Sequence, residues 1–192
     1  MLLHQQFVRI AKANASKLAI IDKTTGKSVT YSRALIGALI LSSKFSKYDK
    51  GFIGIMIPTS AGAALATVGA LMSGRIPVMI NYSTGAEANV RYAQKKCRFT
   101  TVITSRSLLE KINCPLVEGM VMIEDIMAGV TTGDKLKAAL KTKLPPGMLL
   151  KTISGGSDDD TAAMLFTSGS EKDPKAVPLS HRNLIANIES FS

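Results

Sequence analysis

The chain has 192 residues, of which 46% are hydrophobic, and its 24 basic and 14 acidic residues give a net charge of +10. That length, with a mean hydropathy of +0.18, suffices for a sizeable buried core and excludes global disorder. No apolar run reaches the roughly 18 uninterrupted residues of a spanning helix, and two cysteines and two histidines without ligand spacing exclude a zinc site.

In chain order, Leu3, Phe7 and Ile10 recur at helical spacing and predict an amphipathic helix over 2–13. The same segment lacks the apolar core and cleavage site of a secretory signal, so a cytoplasmic location is expected. "LAIID" and "SVTY" on either side of the turn "KTTGK" predict a hairpin. Ser32 is the expected cap of a helix over 33–45. "FIGIMI" reads as a buried strand stopped by Pro58, after which Thr59 or Ser60 opens an alanine-rich helix ending near Gly74. Strands "IPVMIN", "FTTVITS" and "LVEGMVMI" then alternate with helices "GAEANVRYAQKKC" and "RSLLEKI", and a short helical stretch follows. This alternation predicts an α/β fold: β-α-β units forming an open, mostly parallel sheet flanked by helices. Residues 142–160, polar and rich in Gly, Pro and Asp, read as a surface connection, and "TAAMLF" as the strand after it.

The basic excess leans towards the amino terminus, where the first fifty residues hold nine basic and two acidic side chains. Those lysines are scattered singly, there is no tryptophan, and no basic run is interleaved with aromatics, so nucleic acid is not an expected partner. Two readings stay open: a solvated basic face, or attraction to an anionic partner such as phospholipid headgroups or an acidic carrier protein.

The strand at 161–166 delivers "TSGSEKDPKAVPLSHRN". Successive backbone N–H groups, hydroxyls and a lysine after a strand are a common phosphate cradle. A nucleotide-triphosphatase P-loop counted from Gly169 puts Lys175 at the lysine position. Pro174 then occupies the second glycine, Ala176 replaces the metal-ligating hydroxyl, and strand-like "AVPLS" follows where a helix is needed, so that motif fails. A polar surface turn is the plain alternative.

"FTSGSEKDPKAVPLSHRN" resembles the phosphate loop of the adenylate-forming superfamily, which includes acyl-CoA synthetases, luciferases and adenylation domains. Thr167, Ser168, Gly169, Ser170, Pro174 and Lys175 fit its pattern; Lys172 and Ala176 stand where glycines are usual. Lys172 adds a cation there and would be strained if its turn position required positive φ. "VTYSRAL" at 29–35 and "LMSGRIPVMIN" at 71–81 resemble two further family segments in the right order. "MINYSTG", "TSRSLLEKI" and "SGSE" resemble the acyl-acyl-carrier-protein synthetase half of bifunctional 2-acylglycerophosphoethanolamine acyltransferases.

The resemblance implies an enzyme that uses ATP and Mg²⁺ to activate a fatty acid as acyl-adenylate and transfers it to the thiol of acyl carrier protein or CoA, in fatty acid and phospholipid metabolism. Peripheral attachment at the inner membrane is a further implied expectation. It implies that Thr167, Ser168, Gly169, Ser170, Lys172 and Lys175 hold the nucleotide's phosphates, with no residue assigned a catalytic or metal-binding part. Residues 1–192 would then be the N-terminal portion of the AMP-binding domain, inactive without the segments that in the family bind adenine and ribose and supply the catalytic lysine. The alternative is a non-catalytic module that binds an anionic partner through its basic face. Single residues are read plainly: His181 as capping or packing, Asp158 to Asp160 as a solvated run, Cys97, Cys114 and the methionines near Met72, Met79 and Met122 as core.

Overall fold

Near-continuous apolar runs in the central strands, such as "FIGIMI", call for cover on both faces of a sheet. The computed structural model, which describes residues 1–23, 26–167 and 174–190, supplies it. In chain order the elements are α1 (Leu3–Ala13), β1 (Leu18–Asp22), β2 (Lys27–Thr30), α2 (Tyr31–Phe45), β3 (Gly51–Met56), α3 (Ala61–Met72), β4 (Arg75–Met79) and α4 (Ala86–Cys97). They continue with β5 (Val102–Thr104), α5 (Arg106–Lys111), β6 (Met120–Met122), α6 (Ile123–Ala128), α7 (Thr132–Lys143), α8 (Pro146–Leu150), β7 (Thr161–Phe166), β8 (Ala176–Ser180) and α9 (His181–Ser190).

β1 and β2 form an antiparallel pair, and the other strands form a sheet in the order β6-β5-β3-β4-β7-β8. All its neighbours run parallel except β7 and β8, which are antiparallel. The expected mostly parallel α/β sheet is what forms.

Ile53 and Ile55 of β3 face a cluster with Leu41, Phe45, Ala66 and Ala70 from α2 and α3. Met56 and the partly buried Phe52 face the opposite way, against Val90 and Ala93 of α4 and Leu108 and Leu109 of α5. Gly54 lies on this second face, where an added Cβ would come within 3.0 Å of Ile80, Phe99 and Val102 side chains. A third cluster joins α1 and α2 to α7 and α8 through Val8, Leu35, Ala138 and Leu149. Among the described residues no helix is long and apolar enough to cross a membrane.

Three local expectations change. The cap of α2 is Thr30, whose Oγ1 accepts the Arg33 N–H at 3.4 Å; Ser32 is already helical, its N–H donating to the Ala15 carbonyl. The chain after β6 is two helices rather than one short stretch, because Thr131 and Asp134 form a capping box that starts α7 anew. Residues 142–160 are more than a surface connection: they contain α8, with Leu149 fully buried. Leu149 follows Pro146 on a helical turn, and its isobutyl group supplies the apolar contact that the polar composition around it conceals.

Candidate functional site

β7 runs parallel beside β4, with Val78 opposite Met164, and ends at Phe166. The chain returns as β8, pairing Ala176 with Phe166 and Val177 with Leu165. The phosphate-loop candidate therefore connects the two strands at the carboxyl end of the parallel strands, the edge where open α/β sheets bind ligands.

The neck of this connection is fixed by two hydrogen bonds. The Thr167 N–H donates to the Lys175 carbonyl at 3.1 Å, and the Lys175 N–H donates to Thr167 Oγ1 at 3.2 Å. Both residues are exposed. Since Thr167 Oγ1 accepts here, its own hydrogen is directed elsewhere and remains a donor. Ser168, Gly169, Ser170 and Lys172 lie outside the described residues. Thus two of the six sequence-derived site residues are seen, and they meet each other across the neck. Ala176, in the place of a usual glycine, begins β8 and packs with Phe166 against the α4-side cluster.

A third contributor escaped sequence reading. Tyr92 of α4 donates its hydroxyl to the Pro174 carbonyl at 2.8 Å, and its ring meets Phe166 edge-on with centroids 5.8 Å apart. One side chain therefore braces both arms of the neck. The available signal was an aromatic side chain within the polar "RYAQKK", which periodicity alone treats as a helix-face residue. The preceding residue, Arg91, pairs with Glu87 at 3.0 Å and lines an open cleft of about 520 Å³ with Tyr82, Ile112 and Cys114. Burial pushes the Cys114 thiol up, with a smaller contribution from Glu87.

His181 has a packing and bonding part. It is buried, its Nδ1 accepts the Leu3 N–H at 3.1 Å, and its ring lies edge-on to His4 at 5.6 Å. His4 Nε2 pairs with the Ser154 carbonyl at 2.9 Å, which makes Nε2 the protonated nitrogen. Burial lowers both imidazole pKa values, and the neighbouring His4 lowers that of His181 further. The acidic run is organised rather than simply solvated: Asp158 and Asp159 accept from Arg182 at 3.2 and 3.1 Å, and Asp160 Oδ2 accepts the Ser157 N–H at 2.7 Å. Among the described residues no group of three or more His, Cys, Asp or Glu side chains converges as metal ligands.

The model of a family described as "AMP-binding enzyme" matches residues 7–192. 4-Coumarate–CoA ligase 1 of Petroselinum crispum is 24% identical over 189 residues, which cover 95% of this chain and 33% of that protein. The medium-chain fatty-acid–CoA ligase of Escherichia coli (strain K12) is 26% identical over 195 residues, covering 94% and 33%. The chain thus spans about a third of the length of these curated relatives. The AMPPNP-bound form of the nonribosomal peptide synthetase FmoA3 shares the fold, with a TM-score of 0.73 and 17% identity over 99% of this chain and 18% of that one. The family match extends over nearly the whole chain and takes in both the sheet and the β7–β8 hairpin, and by it the chain belongs to the AMP-binding enzyme family of the adenylate-forming superfamily.

Proposed function

We propose that residues 1–192 are the N-terminal portion of an ATP-dependent acid–thiol ligase that converts a fatty acid to its acyl-adenylate. The observation that carries this reading is the hydrogen-bonded neck between Thr167 and Lys175 at the carboxyl end of the sheet. A carboxylate is a poor acylating agent because its oxygen leaves badly. In the proposed reaction that oxygen attacks the α-phosphorus of ATP, an O–P bond forms, the bond to the bridging oxygen breaks, and pyrophosphate departs. A thiol then displaces AMP: a C–S bond forms, the acyl C–O bond breaks, and the thiol proton passes to solvent. Negative charge gathers on the phosphates in the first step, so donors aimed at them lower its barrier. Thr167, Ser168, Gly169 and Ser170 are assigned to the β- and γ-phosphates, with Lys172 and Lys175 adding positive charge. Mg²⁺ belongs to this reading through the nucleotide's phosphates.

Two relatives, a medium-chain fatty-acid–CoA ligase and a 4-coumarate–CoA ligase, support an acid substrate and a thiol acceptor. We assign the acceptor to acyl carrier protein, with CoA as the alternative, on the resemblance of "MINYSTG" and "TSRSLLEKI" to the acyl-carrier-protein synthetases. Phospholipid metabolism follows from the same assignment, and a membrane-dissolved fatty acid makes peripheral attachment part of it.

The test is fatty-acid-dependent pyrophosphate exchange in a reconstructed full-length ligase carrying this chain. Ser168→Ala removes one phosphate donor and lowers adenylation by about one to three orders of magnitude. Thiol transfer from pre-formed acyl-adenylate changes much less, because pyrophosphate has already gone. Unchanged adenylation in a stably folded variant refutes the assignment, and equal losses in both half-reactions show a structural turn. The 192-residue chain alone, which spans about a third of the length of these curated relatives, is expected to show negligible exchange.

A further inference from the structure

Helix α7 has one face settled by the fold. Ala138 is 5% exposed and packs in the cluster containing Val8, Leu35 and Leu39. Lys44 Nζ reaches Asp134 at 2.8 Å and Lys12 Nζ reaches the Thr142 carbonyl at 2.6 Å, so positions 134, 138 and 142 face inward. At 3.6 residues per turn, Leu136 and Leu140 lie roughly 160° around the helix from Ala138. Both leucines are accordingly 60% exposed, in the middle of the outer face.

Lysines surround them. Lys135, Lys137, Lys141 and Lys143 are all exposed, as are Met148 and Lys151 on and just after α8. Among the described residues none of these five lysines forms an ion pair, and the one acidic residue of α7, Asp134, is turned inward onto Lys44. An outward apolar centre flanked by unpaired cations is the layout of a helix lying in the plane of an anionic membrane: the leucines enter the acyl boundary, and the lysine stems reach back to phosphate oxygens. A bilayer deforms around an exposed helix face, whereas a protein partner would need a matching groove.

We propose that the outer face of α7, centred on Leu136 and Leu140, is an interfacial membrane anchor for anionic phospholipid. It gives the peripheral attachment proposed above a definite surface and is independent of the adenylation chemistry.

The test is co-sedimentation of the 192-residue chain with vesicles of phosphatidylcholine and phosphatidylglycerol in equal parts, compared with phosphatidylcholine alone. Binding is expected only to the anionic vesicles and weakens as salt rises. Leu136→Ser with Leu140→Ser lowers the partition coefficient at least about tenfold, since two apolar side chains no longer insert. Leu136→Trp gives an independent reading, because the chain has no tryptophan of its own. The emission of this variant shifts to the blue on anionic vesicles and is quenched by brominated acyl chains. Equal binding by the double-serine variant, an unshifted emission from the Leu136→Trp variant, or binding through this face to an acidic carrier protein but not to vesicles overturns the proposal. None of these outcomes touches pyrophosphate exchange, so the anchor and the ligase assignment fail separately.

Discussion

Helices α3 and α7 are each 12 residues long, yet they are held by opposite means. α3 buries Ala63, Ala66, Gly69, Ala70, Leu71 and Met72, and its small residues let it lie close against α2. α7 buries only Ala138 and turns its leucines outward. What fixes α7 is polar: the capping box of Thr131 and Asp134, and the Lys44 ammonium, which with the Thr131 N–H and hydroxyl holds the Asp134 carboxyl well below the usual carboxylate range. The contrast shows that a helix's apolar residues need not be the ones that attach it. In α3 composition and attachment coincide; in α7 attachment rests on a capping box, one ion pair and a single buried alanine, which leaves the two leucines for another surface.

The sharpest break of this comparison is Gly69→Val. Helix propensity alone predicts a gain of a few tenths of a kcal/mol. However, even a Cβ at 69 would come within 2.9 Å of Leu41 Cβ and 3.2 Å of the Ala38 carbonyl oxygen. We expect a net loss of about 3 kcal/mol or more, the upper end of overpacking, seen as a lower denaturation midpoint at unchanged slope. Thr131→Ala is expected to cost about 1 kcal/mol by removing the cap of α7, with faster amide exchange in α7 and none in α3.

A further loss comes with acid. His4 of α1 and His181 of α9 are held neutral by burial, each below the ordinary 6.5, with Asp158 and Asp160 opposing this at His181. Below that value the unfolded chain binds protons first, so stability is full above about pH 6.5 and falls as pH drops from there towards the lowered folded values. Thermal melts between pH 7.5 and 5.5 should show this slope, and His4→Gln should flatten it. The smallest effect is Leu136→Ser, expected within about 0.5 kcal/mol of the parent because the side chain already faces solvent. A large loss there would show that α7 is attached through its leucines after all.

Much of this was legible in the sequence. The strand at 161–166 follows from local pattern alone, as does a cap at Thr59 or Ser60; it is Ser60, whose Oγ accepts the Ala63 N–H at 3.2 Å. The alternation of strand and helix that builds the sheet follows in the same way. What could not be read depends on contacts distant in sequence. Thr30 rather than Ser32 caps α2 because the β1–β2 pair delivers the chain there in extended form. Leu149 is buried by α1 and α2, far away in sequence, so the polar composition of the wider 142–160 segment misled. Tyr92 braces the neck across 82 positions, a pairing no periodicity encodes. At the site itself, local sequence marked Thr167 and Lys175, and only the strand register shows that they meet.

That meeting has an entropic consequence. The chain leaves β7 at Thr167 and returns eight positions later at Lys175. Bringing the ends of such a segment together costs roughly 2 kcal/mol of configurational freedom, and each doubling of its length adds only about 0.6 kcal/mol. With the neck already closed by backbone pairing, that cost falls on folding and not on the proposed binding of nucleotide phosphates. Residues between the two ends can therefore be exchanged, as Lys172 stands in for a usual glycine, or even inserted, while the strands that present them keep their register.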